Sequence, residues 1–146
     1  MKRRNFLWTL GSAAACTAFG ARPLLAQAKK GRVLYFTRSV GFEHSPVKRE
    51  GSELGFSEKI LVEWGKEAGF DVECSKDGRI FDQDLDKYDV FAFYTCGDLT
   101  KEDKYGNPPM TADGKKRFLD AVAAGKGFVG FHSATDSFHS AGPANE

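Results

Sequence analysis

Near its end the chain reads Gly127-Phe128-Val129-Gly130-Phe131-His132-Ser133-Ala134-Thr135-Asp136. The first five residues form a short apolar run, which is typical of a buried strand in a parallel sheet. Small and polar residues follow at once, as in a nucleophile elbow, a tight strand-to-helix bend that reads G-x-nucleophile-x-small. The apex position of such an elbow is His132, and Ser133 lies one position off. We therefore expect a histidine above the sheet edge and no hydrolase triad built on the serine.

Three earlier segments also predict strands, at residues 32–37, 70–74 and 90–94. The first and third are continuous apolar runs, as expected for strands that are buried on both faces of a parallel sheet. Residues 70–74 alternate between apolar and polar side chains, which indicates a partly exposed edge strand.

Two helices are predicted between these strands. Ser57 is expected to cap a helix that ends at Gly69, and Thr111 to cap a second one that ends at Gly125. Residues 95–110 are rich in charge, glycine and proline, which predicts a surface loop. The alternation of strands and helices predicts an α/β fold with a parallel sheet.

The 146 residues are 41% hydrophobic, 28% charged and 13% aromatic, with a formal net charge of +1. This composition fits one soluble domain. Four of the 21 basic residues lie in 1–28, which leaves 17 basic and 20 acidic residues in 29–146. A nucleic-acid partner is therefore not expected, because neutralising phosphates requires a basic face. No membrane span is expected either, because no apolar run reaches about 18 residues.

Residues 1–28 are predicted to be an export signal. They begin with Arg3-Arg4-Asn5-Phe6-Leu7, continue with a weakly hydrophobic stretch and end at Ala26-Gln27-Ala28, a small-x-small cleavage pattern. The paired arginines resemble the twin-arginine signal, so we expect export to the periplasm or the medium, with residues 29–146 as the mature domain. Two alternatives stay open: an amphipathic helix that belongs to the fold, and lipid attachment at Cys16.

The two cysteines of the predicted mature domain are expected to be free thiols. Cys74 and Cys96 lie at the ends of strands that a third strand should separate, which places them about 10 Å apart, beyond disulfide reach. Cys96 as a nucleophile would need a base partner that the sequence does not identify. Cys74 is interpreted as a packing residue.

Ligands of parallel sheets bind beyond the carboxyl ends of the strands, where strand order reverses. All three histidines fall in loops at that edge: His44 follows the first strand, and His132 and His139 follow the fourth. If the strand order is 2-1-3-4, the third strand adds Thr95-Cys96-Gly97-Asp98 to the same edge. We therefore expect the site at this edge, with acid/base or ligand-binding histidines.

The segment from residue 132 to residue 139 allows two further interpretations. If a helix starts there, His132, Asp136 and His139 share one face at i, i+4 and i+7, and could ligate a divalent metal or transfer protons. Otherwise Ser133 caps the helix and Asp136 completes a capping box, so that the cluster is structural. We expect no cofactor, and the divalent metal site is the weaker hypothesis.

Several segments together resemble the trehalose-utilisation (ThuA-like) family. They are the first strand followed by Gly41-Phe42-x-His44, the helix over 61–69 running into Phe70-x-Val72, and above all residues 127–136. The resemblance runs from about Arg32 to the end of the chain. It implies the flavodoxin-like α/β sandwich of class I glutamine amidotransferases. Their elbow cysteine is replaced here by His132, so glutamine hydrolysis is not expected.

The resemblance also implies a carbohydrate-related ligand and site positions at His44 and His132. We expect substrate contacts from the neighbouring residues Phe42, Thr95, Asp98, Ser133 and Asp136. It further implies a domain that continues for more strands after residue 140. An uncovered apolar fourth strand would be an aggregation hazard, so we expect residues 29–146 to be the N-terminal part of a longer domain, or to receive strands from a partner.

Three functions remain open from the sequence. The first is an exported enzyme that processes trehalose-type or keto sugars through acid/base chemistry at His44 and His132. The second is a non-catalytic carbohydrate-binding domain of a larger secreted protein, with Phe42 and Tyr105 as stacking platforms. The third is a metal-dependent hydrolase.

Overall fold

The structure, a computed structural model, describes residues 30–138. The predicted export signal, Cys16 and His139 therefore lie outside the described residues. The sheet has four parallel strands in the order β2-β1-β3-β4. These strands are β1 (Arg32–Phe36), β2 (Asp71–Ser75), β3 (Val90–Phe93) and β4 (Gly127–Gly130). The predicted α/β fold, the strand order and the edge position of the second strand are confirmed.

Two helices connect the strands, α1 (Phe56–Ala68) and α2 (Ala112–Ala123). Thr111 caps α2 as predicted, because its side chain accepts a hydrogen bond from the backbone N–H of Gly114. Gly69 and Gly125 end the helices with the left-handed backbone that a glycine allows, at φ +82° and +104°. Short 3₁₀ helices cover Ser45–Val47, Gly78–Asp82 and His132–Asp136.

The predicted cap of α1 at Ser57 is wrong, because the helix starts two residues earlier. Its N-cap is Gly55, and the carboxylate of Glu58 accepts a hydrogen bond of 2.8 Å from the Gly55 backbone N–H. The Ser57 hydroxyl instead donates to the carbonyl of Pro46 at 2.9 Å. The helix is thus started by an acidic side chain in its first turn, which also suits the helix dipole.

The main core lies between the sheet and α2. Leu34 and Phe36 of β1 and Phe91 and Phe93 of β3 are fully or almost fully buried there. Phe81 and Phe118 close this layer with edge-to-face and stacked ring contacts, such as the stacked Phe93–Phe118 pair at 4.8 Å. On the opposite face α1 approaches β2 closely, because Gly65 has no Cβ; a Cβ there would lie 2.8 Å from the carbonyl of Phe70.

Residues 95–110 are irregular, as predicted, and residues 101, 102 and 104–106 are exposed as a surface loop should be, but other parts of the segment are packed into the domain. Leu99 and Met110 are buried and join the core under α2. Arg38, which is fully buried, donates hydrogen bonds to backbone carbonyls of the same segment at Lys101, Asn107 and Pro108. The segment is therefore a packed part of the domain that extends beyond the carboxyl ends of the strands.

Strand β4 forms one edge of the described sheet. Phe128 and Val129 are 47% and 44% exposed, and an apolar groove of about 410 Å³ runs between β4 and α2. The continuation of the domain after residue 140 stays a prediction. Within residues 30–138, no helix combines the length and apolar character that crossing a membrane requires.

Candidate functional site

The carboxyl ends of β1, β3 and β4 lie side by side, and the segments that follow them bring two histidines together. The imidazole rings of His44 and His132 are 4.5 Å apart, centroid to centroid, at an angle of 76°. The Tyr94 ring, directly after β3, lies 6.0 Å from His44 and 5.8 Å from His132. Phe42 packs edge-on against His44 at 4.8 Å and is 64% exposed. The site thus combines two imidazoles with aromatic rings that solvent can reach.

His132 occupies the apex of a tight bend, as the elbow pattern predicts. Its backbone has φ +48°, a left-handed conformation that residues other than glycine adopt only at an energetic cost. The bend is held by hydrogen bonds from Phe131 N–H to the Phe93 carbonyl at 2.7 Å and from Ala134 N–H to the Phe131 carbonyl at 3.0 Å. Backbone geometry therefore presents the imidazole above the sheet edge.

The predicted helical face of His132, Asp136 and His139 is wrong within the described residues. The segment is a 3₁₀ helix that ends at Asp136, and positions i and i+4 of such a helix lie on different faces. The carboxylate of Asp136 accepts instead from the Cys96 thiol at 3.4 Å. Within residues 30–138 no group of three or more histidine, cysteine or carboxylate side chains could hold a metal ion.

The capping-box interpretation of the same segment is also wrong. No side chain caps the 3₁₀ helix at Phe131, and the buried Ser133 hydroxyl has no hydrogen-bond partner within the described residues. The bend is therefore stabilised by its backbone hydrogen bonds and not by Ser133 and Asp136 as a box.

Two predicted substrate contacts have other partners. Thr95 is fully buried and shares a short hydrogen bond with the Ser137 hydroxyl. Asp98 accepts from the backbone N–H of Thr100 at 3.0 Å and from its hydroxyl at 2.7 Å. Burial raises the pKa of Asp98, but the bonds from Thr100 outweigh this effect and hold that pKa below its usual value. Both side chains thus stabilise the segment after β3, whereas Phe42 lies beside the histidines.

The β1–α1 loop, residues 37–55, is tied to the sheet by a buried carboxylate. Glu58 is fully buried and accepts from Arg49 Nε at 2.8 Å and Arg49 Nη2 at 2.7 Å, and from the Thr37 hydroxyl at 2.6 Å. Burial raises the pKa of Glu58, but hydrogen bonds from Arg49, Thr37 and Gly55 outweigh it and keep the pKa below its usual value. Both ends of the loop that carries His44 are therefore fixed to one charged group.

Two more buried ion pairs connect segments that follow the strands at this edge of the sheet. Lys76 Nζ pairs with Glu43 Oε1 at 2.9 Å, and Arg38 Nη1 pairs with Asp103 Oδ2 at 3.1 Å. Sequence reasoning missed Glu43 and Lys76 as site residues. Lys76 directly follows β2, so the rule that sites lie beyond the carboxyl ends of strands could have found it.

Both described cysteines are free, as predicted. Burial raises the pKa of the Cys74 thiol to about 12, with a further contribution from the charge of Glu58. Burial and the adjacent Asp136 carboxylate raise the pKa of Cys96 as well. Since the thiolate is the reactive form, neither environment favours a cysteine nucleophile.

Comparisons with curated proteins and with solved structures give no match. The profile of the ThuA family, described as trehalose utilisation, matches residues 32–142, which include every described strand and helix. The flavodoxin-like α/β fold and the elbow at His132 agree with the resemblance drawn from the sequence. The chain belongs to the ThuA trehalose-utilisation family.

Proposed function

We propose that this domain binds a sugar of the trehalose or keto-sugar type at the carboxyl edge of the sheet and processes it by acid/base chemistry. Family membership associates the chain with trehalose utilisation in general. The observation that supports the finer proposal is the His44–His132 pair, whose rings come from two different loops and lie 4.5 Å apart.

The chemistry follows from the nature of imidazole. One imidazole can accept a proton from a sugar hydroxyl or from a carbon next to a carbonyl, while its neighbour donates a proton to an oxygen of the same sugar. Such a reaction needs both groups in fixed positions. His44 belongs to the loop anchored by Glu58, and His132 is held by the bend after β4. The pair is therefore positioned before a ligand arrives, which favours catalysis.

Phe42 supplies the second property that a sugar site requires. Its ring is 64% exposed and lies 4.8 Å from His44, so the C–H face of a pyranose can stack on it beside the imidazoles. Stacking would orient the sugar, and the histidines would exchange protons with it.

The proposal is tested by incubating the purified 146-residue chain with trehalose and with a keto-sugar, and following products by NMR. His44→Ala and His132→Asn should each lower turnover by at least about 100-fold, the usual contribution of a general acid or base. Asparagine is chosen at residue 132 because it tolerates left-handed backbone. Lys48→Ala, at an exposed position of the same loop, is the matched control. Circular dichroism should be unchanged in all three variants.

Turnover by both histidine variants within about twofold of the Lys48→Ala control would contradict the acid/base proposal. The exposed Phe42 favours a second candidate, a carbohydrate-binding domain without catalysis. That candidate expects Phe42→Ala to abolish sugar binding while the histidine variants bind normally and the wild type shows no turnover.

We also propose export by the twin-arginine pathway, supported by the paired arginines and the cleavage pattern in residues 1–28. Replacement of both Arg3 and Arg4 by lysine should retain the protein in the cytoplasm of the source cell, as judged by fractionation. Unchanged export of that variant would contradict the proposal.

A further inference from the structure

We propose that a cavity lined by Glu43, the residue before His44, binds one neutral pyranose ring, so that the site accommodates both rings of a disaccharide. The cavity has a volume of about 300 Å³ and is lined by Glu43, Arg49, Gly51, Lys76, Tyr105 and Asn107. Its volume lies at the lower end of the roughly 300–1,000 Å³ of small-molecule sites. This inference rests on the proposed sugar site at His44 and His132.

Two of the charged groups that line the cavity are deeply buried. The side chains of Lys76 and Glu43 are 6% and 9% exposed and pair at 2.9 Å. Lys76 Nζ also donates to the carbonyl of Thr37 at 2.8 Å. An ammonium carries three donors, so these two bonds leave Lys76 with one N–H for a ligand. Burial of such groups is costly unless they are well satisfied, which makes a polar ligand a good complement.

Arg49 and Glu43 also have hydrogen-bonding atoms that are left for a ligand. Arg49 uses Nε and Nη2 for Glu58, and within residues 30–138 its Nη1 forms no hydrogen bond. Glu43 uses Oε1 for Lys76, and its Oε2 likewise has no hydrogen-bond partner among the described residues. The cavity is therefore lined by unused donors of Lys76 and Arg49 and by an unused acceptor of Glu43, in addition to the polar groups of Tyr105 and Asn107. Vicinal sugar hydroxyls, each both donor and acceptor, fit this set.

The charges of the cavity balance. Lys76 is paired with Glu43, and Arg49 is paired with Glu58, which is fully buried and does not line the cavity, so each cation of the lining has its own carboxylate. A charged ligand such as a phosphate or a sugar acid would compete with these existing pairs for the same charges. A neutral polyol avoids this conflict and can still bond to every group, since hydrogen bonds that involve an ionised partner are the stronger kind.

Tyr105 provides an aromatic wall, which is the usual complement to polar groups in a sugar site. Its ring is 39% exposed, and Lys104 Nζ lies 5.3 Å from the ring centroid. A pyranose can place its C–H face on such a ring while its hydroxyls turn to the charged side chains.

This wall is fixed before a ligand binds. Asp103 accepts hydrogen bonds from the backbone N–H groups of Tyr105 and Asn107 and from the Asn107 side chain. Asp103 is in turn paired with the fully buried Arg38, which also holds the carbonyl of Asn107. The turn that carries Tyr105 is thus connected to the end of β1, and little ordering is required on binding.

Glu43 and His44 connect the cavity to the histidine pair. They are neighbours in the chain, and the backbone at His44 is extended, with φ −70° and ψ 140°, so their side chains point in different directions. Glu43 contacts Lys76 beyond β2, whereas His44 contacts His132 beyond β4. A disaccharide that crosses this segment can place one ring in the cavity and the other beside the imidazoles.

In the experiment, trehalose is titrated into the 146-residue chain, and the affinity is measured by isothermal titration calorimetry. Tyr105→Ala should weaken trehalose binding about tenfold, as loss of an aromatic stacking contact does. Tyr105→Phe keeps the ring and should retain wild-type affinity. Trp64→Ala removes an exposed aromatic ring from α1, away from the cavity, and should also retain it. Urea unfolding of each variant verifies the fold.

Equal trehalose affinity of Tyr105→Ala and wild type overturns the second-ring inference. If Phe42→Ala weakens binding in that case, the proposed sugar site at the histidines still stands. Loss of binding in Trp64→Ala to the same extent as in Tyr105→Ala also overturns the inference, because the effect would not be specific to the cavity. Failure of the wild type to bind trehalose overturns the second-ring inference, whereas the proposed function is overturned only if the keto-sugar is not bound or processed either.

Discussion

The two sides of the carboxyl edge hold their histidines by different means. On the β1–β2 side, His44 lies in a loop that is fixed by buried ion pairs, with Glu58 and Arg49 at its far end and Glu43 paired to Lys76. On the β4 side, His132 is exposed and held by backbone hydrogen bonds in a left-handed conformation. One histidine is thus anchored by side-chain charge, and the other by backbone hydrogen bonds that hold a strained conformation.

These two kinds of anchoring predict different effects of substitutions on the stability of the protein. A buried ion pair contributes little net stability, but loss of one partner leaves a buried charge that is costly. Backbone strain costs roughly 1–3 kcal/mol, which the surrounding hydrogen bonds must offset. The ion-pair side should therefore be sensitive to substitution, while the strained side should tolerate it or even gain stability.

Arg49→Ala should give the largest effect, because it leaves the Glu58 carboxylate buried without its cation. We expect a loss of about 3 kcal/mol in the free energy of unfolding, the lower end for breaking a buried pair, since Arg49 is 24% exposed. Lys59→Ala is the control: its pair with Glu53 is 2.9 Å long, against 2.7 Å for Arg49 and Glu58, but it is exposed and should contribute less than about 1 kcal/mol. Urea unfolding measures both, and equal losses would contradict the comparison.

The strands of the sheet, the bend at His132 and the position of both histidines at one edge could be predicted from the sequence. Apolar runs gave the strands, and the elbow pattern placed His132 at an apex that the structure shows at φ +48°. His44 was placed at the same edge because both residues follow strand ends in a 2-1-3-4 sheet, and the rings do meet. Short-range patterns suffice here, because strand, bend and loop order are local properties.

The anchoring network could not be predicted in the same way. Glu58 lies in the first turn of a helix, where an acidic residue is normally solvated, and its burial depends on Thr37 and Arg49. Arg38 meets Asp103 only after the chain has passed two more strands. Thr95 and Asp98 were expected to contact substrate from their position at strand ends, but position at an edge does not determine which way a side chain points.

Glu58→Gln tests whether the charge of Glu58 anchors the loop, because the stability difference between this variant and the wild type should depend on pH. The substitution keeps the shape of the side chain but removes its charge, and at pH 7 it should cost about 2 kcal/mol, the contribution of hydrogen bonds to a charged group. Urea unfolding of both proteins between pH 7 and pH 3 should show this difference shrinking as pH falls.

The sign follows from the pKa of Glu58, which hydrogen bonds from Arg49, Thr37 and Gly55 keep below its ordinary value of 4.5 despite burial. A group whose pKa is lower in the folded protein stabilises it above the unfolded pKa, and this stability is lost as pH falls through the folded pKa. The glutamine variant cannot lose this contribution. A difference that stays constant to pH 3 would show that the charge of Glu58 is not what anchors the loop.

The smallest effect is expected at the histidines themselves, where glycine and alanine should act in opposite order. At residue 132 the backbone is left-handed, so His132→Gly should be more stable than His132→Ala by about 1 kcal/mol. At residue 44 the backbone is extended, at φ −70°, and His44→Gly should be less stable than His44→Ala by roughly 0.5–1 kcal/mol. Thermal or urea unfolding of the four variants measures both orders. The same order at both positions would show that the bend at His132 is not strained, and that the two histidines are held in the same way.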